Sequence, residues 1–400
     1  VMFKDLGISD AQIAFWTSLI MWPWTIKFLW SPFLEIFRTK KFFVVTTQLL
    51  SGILFGLAAL SLHLPSFFAV TIAVFAVVAF SGATHDIAAD GVYMSELTTQ
   101  DQAKYIGWQG AFYNLAKLVA TGGLVWLAGW LYEGFSADGA SSYDASVGSW
   151  TVVLLILCGT LVALGLYHLR ALPSGGSASE GRSLRDGLSG LKEVVGAFFQ
   201  KKHIWYYLGF IILYRLGEGF VMKIVPLFLK ADTASGGLGL TNQQIGLYYG
   251  TFGAGAFLLG SLLAGYYIAH RGLRRTLFIL CCIFNIPFAV YALLAWLQPQ
   301  SMWIVGGGIV LEYFGYGFGF VGLTLFMMQQ VAPGRHQMAH YAFASGIMNL
   351  SVMLTGAVSG YLSDALGYGM FFLAVMLATV PAFLVTWFVP FTYDDKPNDK

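Results

Sequence analysis

Eleven times along this chain, about 20 residues pass with scarcely a charge, the length an α-helix needs to cross the hydrocarbon of a bilayer. These segments lie near 11–34, 42–63, 67–95, 105–131, 149–169, 204–229, 241–269, 276–297, 302–331, 338–363 and 369–391. Several hold a Gly, a Pro or an acid, which membrane helices tolerate where neighbours satisfy the backbone. No water-soluble core could hide so much apolar surface. Of the 400 residues, 57% are hydrophobic and 10% charged, where an ordinary soluble domain carries about 25% charged. Lipid is therefore the solvent for most of the chain.

Composition also removes several function classes. A net charge of +2 offers no basic surface for nucleic acid. Cys158, Cys281 and Cys282 lie inside apolar runs; neighbours on a helix point about 100° apart, so the adjacent pair reads as packing rather than a disulfide or metal site. No histidines stand at metal-ligand spacing, and the glycine runs 250–265 and 315–319 neither follow a strand nor precede the Lys-Ser/Thr of a nucleotide loop. Those runs suit close helix packing at 250–265 and a bend at 315–319. No cofactor and no metal are expected. A membrane-embedded enzyme would need a nucleophile–base set, and none is visible.

An internal repeat accounts for the odd number of spans. LGISDAQIAF (6–15) matches LGLTNQQIGL (238–247), and QAKYIGWQGAFYNLAK (102–117) resembles QMAHYAFASGIMNLSV (337–352), so two halves recur about 235 residues apart. A whole span, 204–229, precedes the second copy of the first motif, whereas only residues 1–5 precede the first copy. We therefore expect twelve helices in the intact protein, with most of the first missing from the sequence given. The expected division is a helical bundle over 1–169, a linker over 170–203 and a second bundle with a short tail over 204–400.

Loop charges orient the spans. Arg38, Lys40, Lys41, Lys104, the bases from Arg170 to Lys202, Arg271, Arg274, Arg275, Arg335 and the Lys396/Lys400 tail fall on one side; only Lys4 and Lys230 fall on the other. The excess of bases marks the cytoplasmic side and places the C-terminus there. The linker carries PSGGSASEGRS and then an amphipathic stretch, 184–199, suited to a membrane surface. The loop 132–149 holds acids and no base, and faces outside.

Few charges remain within the spans, and a carboxylate in hydrocarbon costs at least about 2.5 kcal/mol. Asp86 and Asp90 share one helix face, a turn apart, in SGATHDIAADGVYMSE (81–96). Asp86 stands about ten residues, or about 15 Å, from the end of its segment, near mid-membrane. Arg215 and Glu218 are three apart in LYRLGEGF; Glu312 lies mid-span in LEYFGYGFGF; Lys27 lies in WPWTIKFLWSP. Two readings stand. Asp86, Asp90, Glu218 and Glu312 line a hydrated cavity and carry protons, with Lys27 and Arg215 binding substrate; or the charges form fixed ion pairs, such as Asp86 or Asp90 with Lys27 or Lys117, and Arg215 with Glu218. Tyr214, Tyr313 and Tyr316 flank these charges and suit a sugar ring, while most tryptophans suit an interfacial belt. Asn114 and Asn349, equivalent across the repeat, join the substrate-binding set. Lys117 and Lys223 read as structural, and His85 and His340 as packing residues that could pass a proton.

The residues also carry a resemblance. GYYIAHRGLRRT (265–276) resembles the loop signature between the second and third helices of each half in major facilitator transporters, with Ala269 where the usual acid stands; SPFLEIFRTKK (31–41) keeps Glu35 and the bases but lacks the glycine. IKFLWSPFLE (26–35), ATHDIAADGVYMSEL (83–97), LYRLGEGF (213–220) and LEYFGYGFGF (311–320) together resemble the AmpG-type muropeptide permeases and related acetyl-CoA transporters. His85 stands where that family usually has Gln, and Arg215 and Glu218 keep the charges of its Tyr-Lys-Leu-Gly-Asp pattern. The resemblance implies a major facilitator fold of two pseudo-symmetric six-helix bundles, with Lys27, Asp86, Asp90, Arg215, Glu218 and Glu312 in the polar core. It implies a proton-driven importer of N-acetylglucosaminyl-anhydromuramyl sugars or peptides, multi-pass and monomeric in a bacterial inner membrane. A carrier of other sugars or organic anions, and a non-transporting sensor, are the alternatives.

Overall fold

The computed structural model describes residues 2–8, 12, 16–17, 19–176, 184–240 and 242–393. Much of 9–18, the Gly/Ser linker over 177–183 and the tail bases Lys396 and Lys400 lie outside the described residues. Every regular element among the described residues is helical. After a single turn, Met2–Asp5, the elements that matter below are α1 (Trp22–Ile26), α2 (Ser31–Ile36), α3 (Lys40–Ser61), α4 (Phe67–Glu96), α5 (Thr99–Leu118), α6 (Leu124–Ala137), α7 (Ser142–Ala171) and α8 (Leu184–Phe199). The chain continues through α9 (Ile204–Tyr214), α10 (Leu216–Lys230), α11 (Gly253–Arg271), α12 (Leu273–Asn285), α13 (Ala289–Leu297), α14 (Met302–Phe326) and α15 (Gln337–Trp387).

Seven helical stretches among the described residues are long and apolar enough to cross a membrane. One of them, α15, is two helices joined at Gly367, whose φ of 70° and ψ of 160° break the regular backbone where the sequence separates two spans. Other expected spans are interrupted. A 3-10 turn, Lys27–Leu29, divides α1 from α2, each of which carries a proline near its start. Arg215 separates α9 from α10, and a π turn, Val119–Gly123, separates α5 from α6. Helix α7 begins earlier than its apolar run: Ser141 accepts from the amide of Asp144 at 3.2 Å and donates to its carboxylate at 2.6 Å, so this cap lies within the loop expected over 132–149.

Contacts divide the chain into two units. The first holds 1–96, 115–194 and 336–342; the second holds 97–114, 195–335 and 343–400. In the first unit α3 packs closely on α7, since a Cβ on Gly52 would lie 2.8 Å from Val162. Its core gathers Ala58, Ala59, Leu62, Trp150, Val153 and Leu154, and the Trp150 indole donates to Asp5 at 2.9 Å. Hydroxyl rungs tie α3 to α4: Ser61 to Thr71 at 2.8 Å, and Ser51 to Ser81 at 2.8 Å.

Glycine brings backbones together in the second unit. A Cβ on Gly260 would lie 2.3 Å from the Phe314 carbonyl, and one on Gly317 only 2.1 Å from that of Phe257. Helix α14 passes through the run 315–319 unbroken. Gly315 and Gly319 face α12 while Gly317 faces α11, so the run packs the helix on two sides. The first half of α5 belongs to this unit by the same device: a Cβ on Gly107 would lie 2.6 Å from the Ser261 carbonyl. In α8, Val194 and Phe198 are buried, while Phe199 is exposed.

Candidate functional site

In the first unit, the break between α1 and α2 sets Lys27 on its 3-10 turn with a buried side chain. Its ammonium donates to Asp86 of α4 in an ion pair. The neighbouring Trp30 indole donates to Thr84 Oγ1 at 3.1 Å, a second tie between this turn and α4. Asp90, one turn beyond Asp86, is buried and lies in the field of the same ammonium and of Tyr341. Of the two acids read as partners for Lys27, the structure pairs it with Asp86.

In the second unit, the helix break at Arg215 turns its guanidinium back along α10. Nε donates to Glu218 Oε2 and Nη2 to Oε1, both at 2.5 Å, a bidentate pair across one turn. Both residues are about 5% exposed. The guanidinium also lies 5.1 Å from the centre of the Phe320 ring, with Tyr316 beside it. Glu312 is buried and accepts from the Tyr291 hydroxyl at 2.8 Å. It has no cation within ion-pair distance among the described residues. Tyr249 and Tyr313 meet edge to face at 4.9 Å, and both lie in the field of Glu312. Tyr249 is carried by a π turn, Gly246–Phe252.

The aromatic residues expected to meet a sugar separate in the structure. Tyr313 and Tyr316 are half-buried and 6.3 Å apart. Tyr214 is fully buried, with its hydroxyl donating to the Gly319 carbonyl at 2.9 Å, and holds α9 to α14. Asn114 is half-buried and bonds back to the Gly110 carbonyl of its own helix at 2.9 Å; Asn349 is half-buried. Lys117 and Lys223 are exposed. No group of three His, Cys, Asp or Glu side chains among the described residues is placed to hold a metal. Tyr291, Tyr249 and Phe320 were not legible as site residues. Each meets its charge from another helix or turn, or through ring geometry, so no sequence spacing links them. The π turn that carries Tyr249 leaves no pattern in hydropathy.

The sequence pattern of the Major Facilitator Superfamily matches residues 1–335 and 211–400 of the chain. The anhydromuropeptide permease of Escherichia coli (strain K12) is 26% identical over 379 residues, covering 92% of this chain and 70% of the permease. Among solved structures, the E. coli fucose:proton symporter FucP aligns with a TM-score of 0.67 at 13% identity, over 98% of this chain and 95% of that one. A bacterial homologue of the iron transporter ferroportin, in its outward-facing state, aligns with a TM-score of 0.65 at 15% identity, over 96% and 92%. At such identities the two structures share the fold with this chain.

Proposed function

This chain belongs to the Major Facilitator Superfamily of multi-pass membrane transporters for small molecules, and from that premise we propose that it imports cell-wall-derived amino sugars or muropeptides, of the N-acetylglucosaminyl-anhydromuramyl type, together with protons. The observation that carries the substrate class is the similarity to an anhydromuropeptide permease along 92% of the chain. Transport proceeds by alternating access, in a cell inner membrane, by a monomer whose C-terminus faces the cytoplasm.

Asp86, Asp90, Glu218 and Glu312 form the proposed proton-coupling set. Glu312 has the geometry best suited to reversible protonation: it is buried, holds one hydroxyl donor and has no countercharge among the described residues. Asp86 and Glu218 each have a cation already. Lys27, Arg215, Tyr313, Tyr316, Asn114 and Asn349 form the proposed substrate set, with Tyr214 bracing it. The half-buried tyrosines offer ring faces to the sugar. Arg215 takes the anionic group of the muramyl unit once a proton on Glu218 loosens the bidentate pair, because a neutral acid no longer holds the guanidinium.

Uptake of labelled N-acetylglucosaminyl-anhydromuramic acid into proteoliposomes tests this function. An inward proton gradient accelerates uptake, and Glu312→Gln removes the acceleration. Uptake indifferent both to collapse of the gradient and to Asp86→Asn overturns the coupling. Preference for a plain monosaccharide over the anhydromuramyl disaccharide overturns the substrate class.

A further inference from the structure

A polar seam runs through the first unit beside the Lys27–Asp86 pair, and the charges do not account for it. Ser61 meets Thr71, Ser51 donates to Ser81, and Ser81 in turn donates to the Thr47 carbonyl at 3.0 Å. One turn past Ser81 on the same face of α4 comes His85. One residue past Thr47 on α3 comes Gln48, whose Oε1 lies 2.8 Å from Nδ1 of His168 on α7. His85 Nε2 is buried with no hydrogen-bond partner among the described residues. The ring lies in the field of Asp86 on its own helix and of His168 on α7. Among the described residues, those two are the ionisable groups whose charge reaches it, and α3 carries the neutral Thr47 and Gln48 where Ser81 of α4 meets it.

A buried imidazole nitrogen without a partner is a cost to folding, so packing alone favours an apolar side chain here. A ring that takes and gives a proton has a reason to keep that nitrogen open. His168 stands three residues before the end of α7, about 4.5 Å along the axis. His85 therefore shares its surroundings with a half-exposed acid on its own helix and with a second imidazole near a helix end.

We propose that His85 and His168 form a proton relay connecting Asp86 with the membrane face at which α7 ends, a route that rests on the proton coupling proposed above. A protonated Asp86 gives its proton to His85, and the carboxylate recovers its pairing with Lys27. The His85 imidazolium passes one proton to His168, and the His168 imidazolium releases one to water at the helix end. One proton moves from Asp86 to water, both rings return neutral, and no electrons are exchanged. The bond between His168 and Gln48 Oε1 keeps the Nδ1–H tautomer of the neutral ring, leaving Nε2 as the acceptor.

Gradient-driven uptake of labelled N-acetylglucosaminyl-anhydromuramic acid, followed across pH in proteoliposomes, tests the relay in His85→Gln, His168→Gln and the double variant. Glutamine keeps a polar side chain and cannot titrate; it is also the residue that the resembling family carries at the first position. Each single variant is expected to slow uptake by at least about tenfold and flatten its pH profile. The double variant is expected to be no slower than either single, because both act on one route. Profiles that superpose on the parent's, or a double loss equal to the product of the single losses, overturn the relay. Melting temperatures of the purified variants report their folding, and His85→Asn repeats the measurement with a second non-titrating amide. A parent protein indifferent to the gradient overturns the coupling itself; a gradient-driven parent with unaltered variants overturns the relay alone.

Discussion

Lys27 and Asp86 form an ion pair whose two ends lie in different surroundings: the lysine side chain is 5% exposed and the aspartate 44%. The two single neutralisations are therefore unequal. Asp86→Asn strands a buried ammonium, whereas Lys27→Met leaves a carboxylate that can still reach solvent. Breaking a buried pair from one side costs about 3–5 kcal/mol, and the exposure of Asp86 brings this case toward the low end. Thermal unfolding in detergent should rank Asp86→Asn below Lys27→Met, with the double variant above Asp86→Asn. The reverse order would show that the ammonium finds another partner.

Arg215 and Glu218 are both buried, so their pair depends on geometry as well as charge. A lysine at 215 supplies a point charge without the planar fork that meets both carboxylate oxygens. Arg215→Lys is expected to lower stability by about 1–3 kcal/mol through the lost second bond and the lost stacking on Phe320. Chemical denaturation of the two proteins side by side measures the difference; equal midpoints would mean that one bond suffices.

Lys201 lies outside the spans, and its ammonium donates to the carbonyls of Val331, Ala332 and Pro333 at 2.6, 3.1 and 2.6 Å. Burial pushes it down to about 8 from 10.5. Between those values the unfolded chain binds more protons than the folded one, so this group makes stability rise as pH increases through the window. The melting temperature of the parent should therefore gain on that of Lys201→Met as pH is raised from about 8 toward 10.5. Parallel curves would mean that the three carbonyls hold the ammonium near its ordinary value.

Gly317 and Gly307 occupy the same helix with opposite surroundings. A Cβ at 317 would meet the Phe257 carbonyl at 2.1 Å, while one at 307 meets nothing within 4 Å. Gly317→Ala must push α11 from α14 and is expected to cost about 1–3 kcal/mol. Gly307→Ala is expected to gain about 0.5–1 kcal/mol from helix propensity. Melting temperatures that move in the same direction for both would contradict the packing argument.

Several features were open to a reading of residue order alone. The all-helical fold follows from the spacing of apolar runs. Ends such as that of α4 follow because a long uncharged run finishes at a polar stretch. The break at Gly367 separates two runs already distinct in hydropathy. The start of α7 was missed although its cap, Ser141 with Asp144, is written in the sequence, because the helix extends beyond its apolar run. The close packing made by the glycines at 315–319 was not legible, because it depends on backbones of other helices, which a local pattern does not contain.

By itself the sequence determined that this chain is a helical membrane protein, that it is built on a repeat, and which few ionisable residues lie within its spans. It did so because burial in lipid selects each segment by its own composition, and a charge in oil stands out wherever it falls. Only the tertiary structure decided how those charges are satisfied. Lys27 meets Asp86 across 59 residues of chain, Arg215 turns back onto Glu218, and Glu312 receives a tyrosine instead of a base. Pairing depends on which helix faces meet, and that depends on close packing at glycines and on kinks at prolines and π turns, none of which is a property of one segment alone.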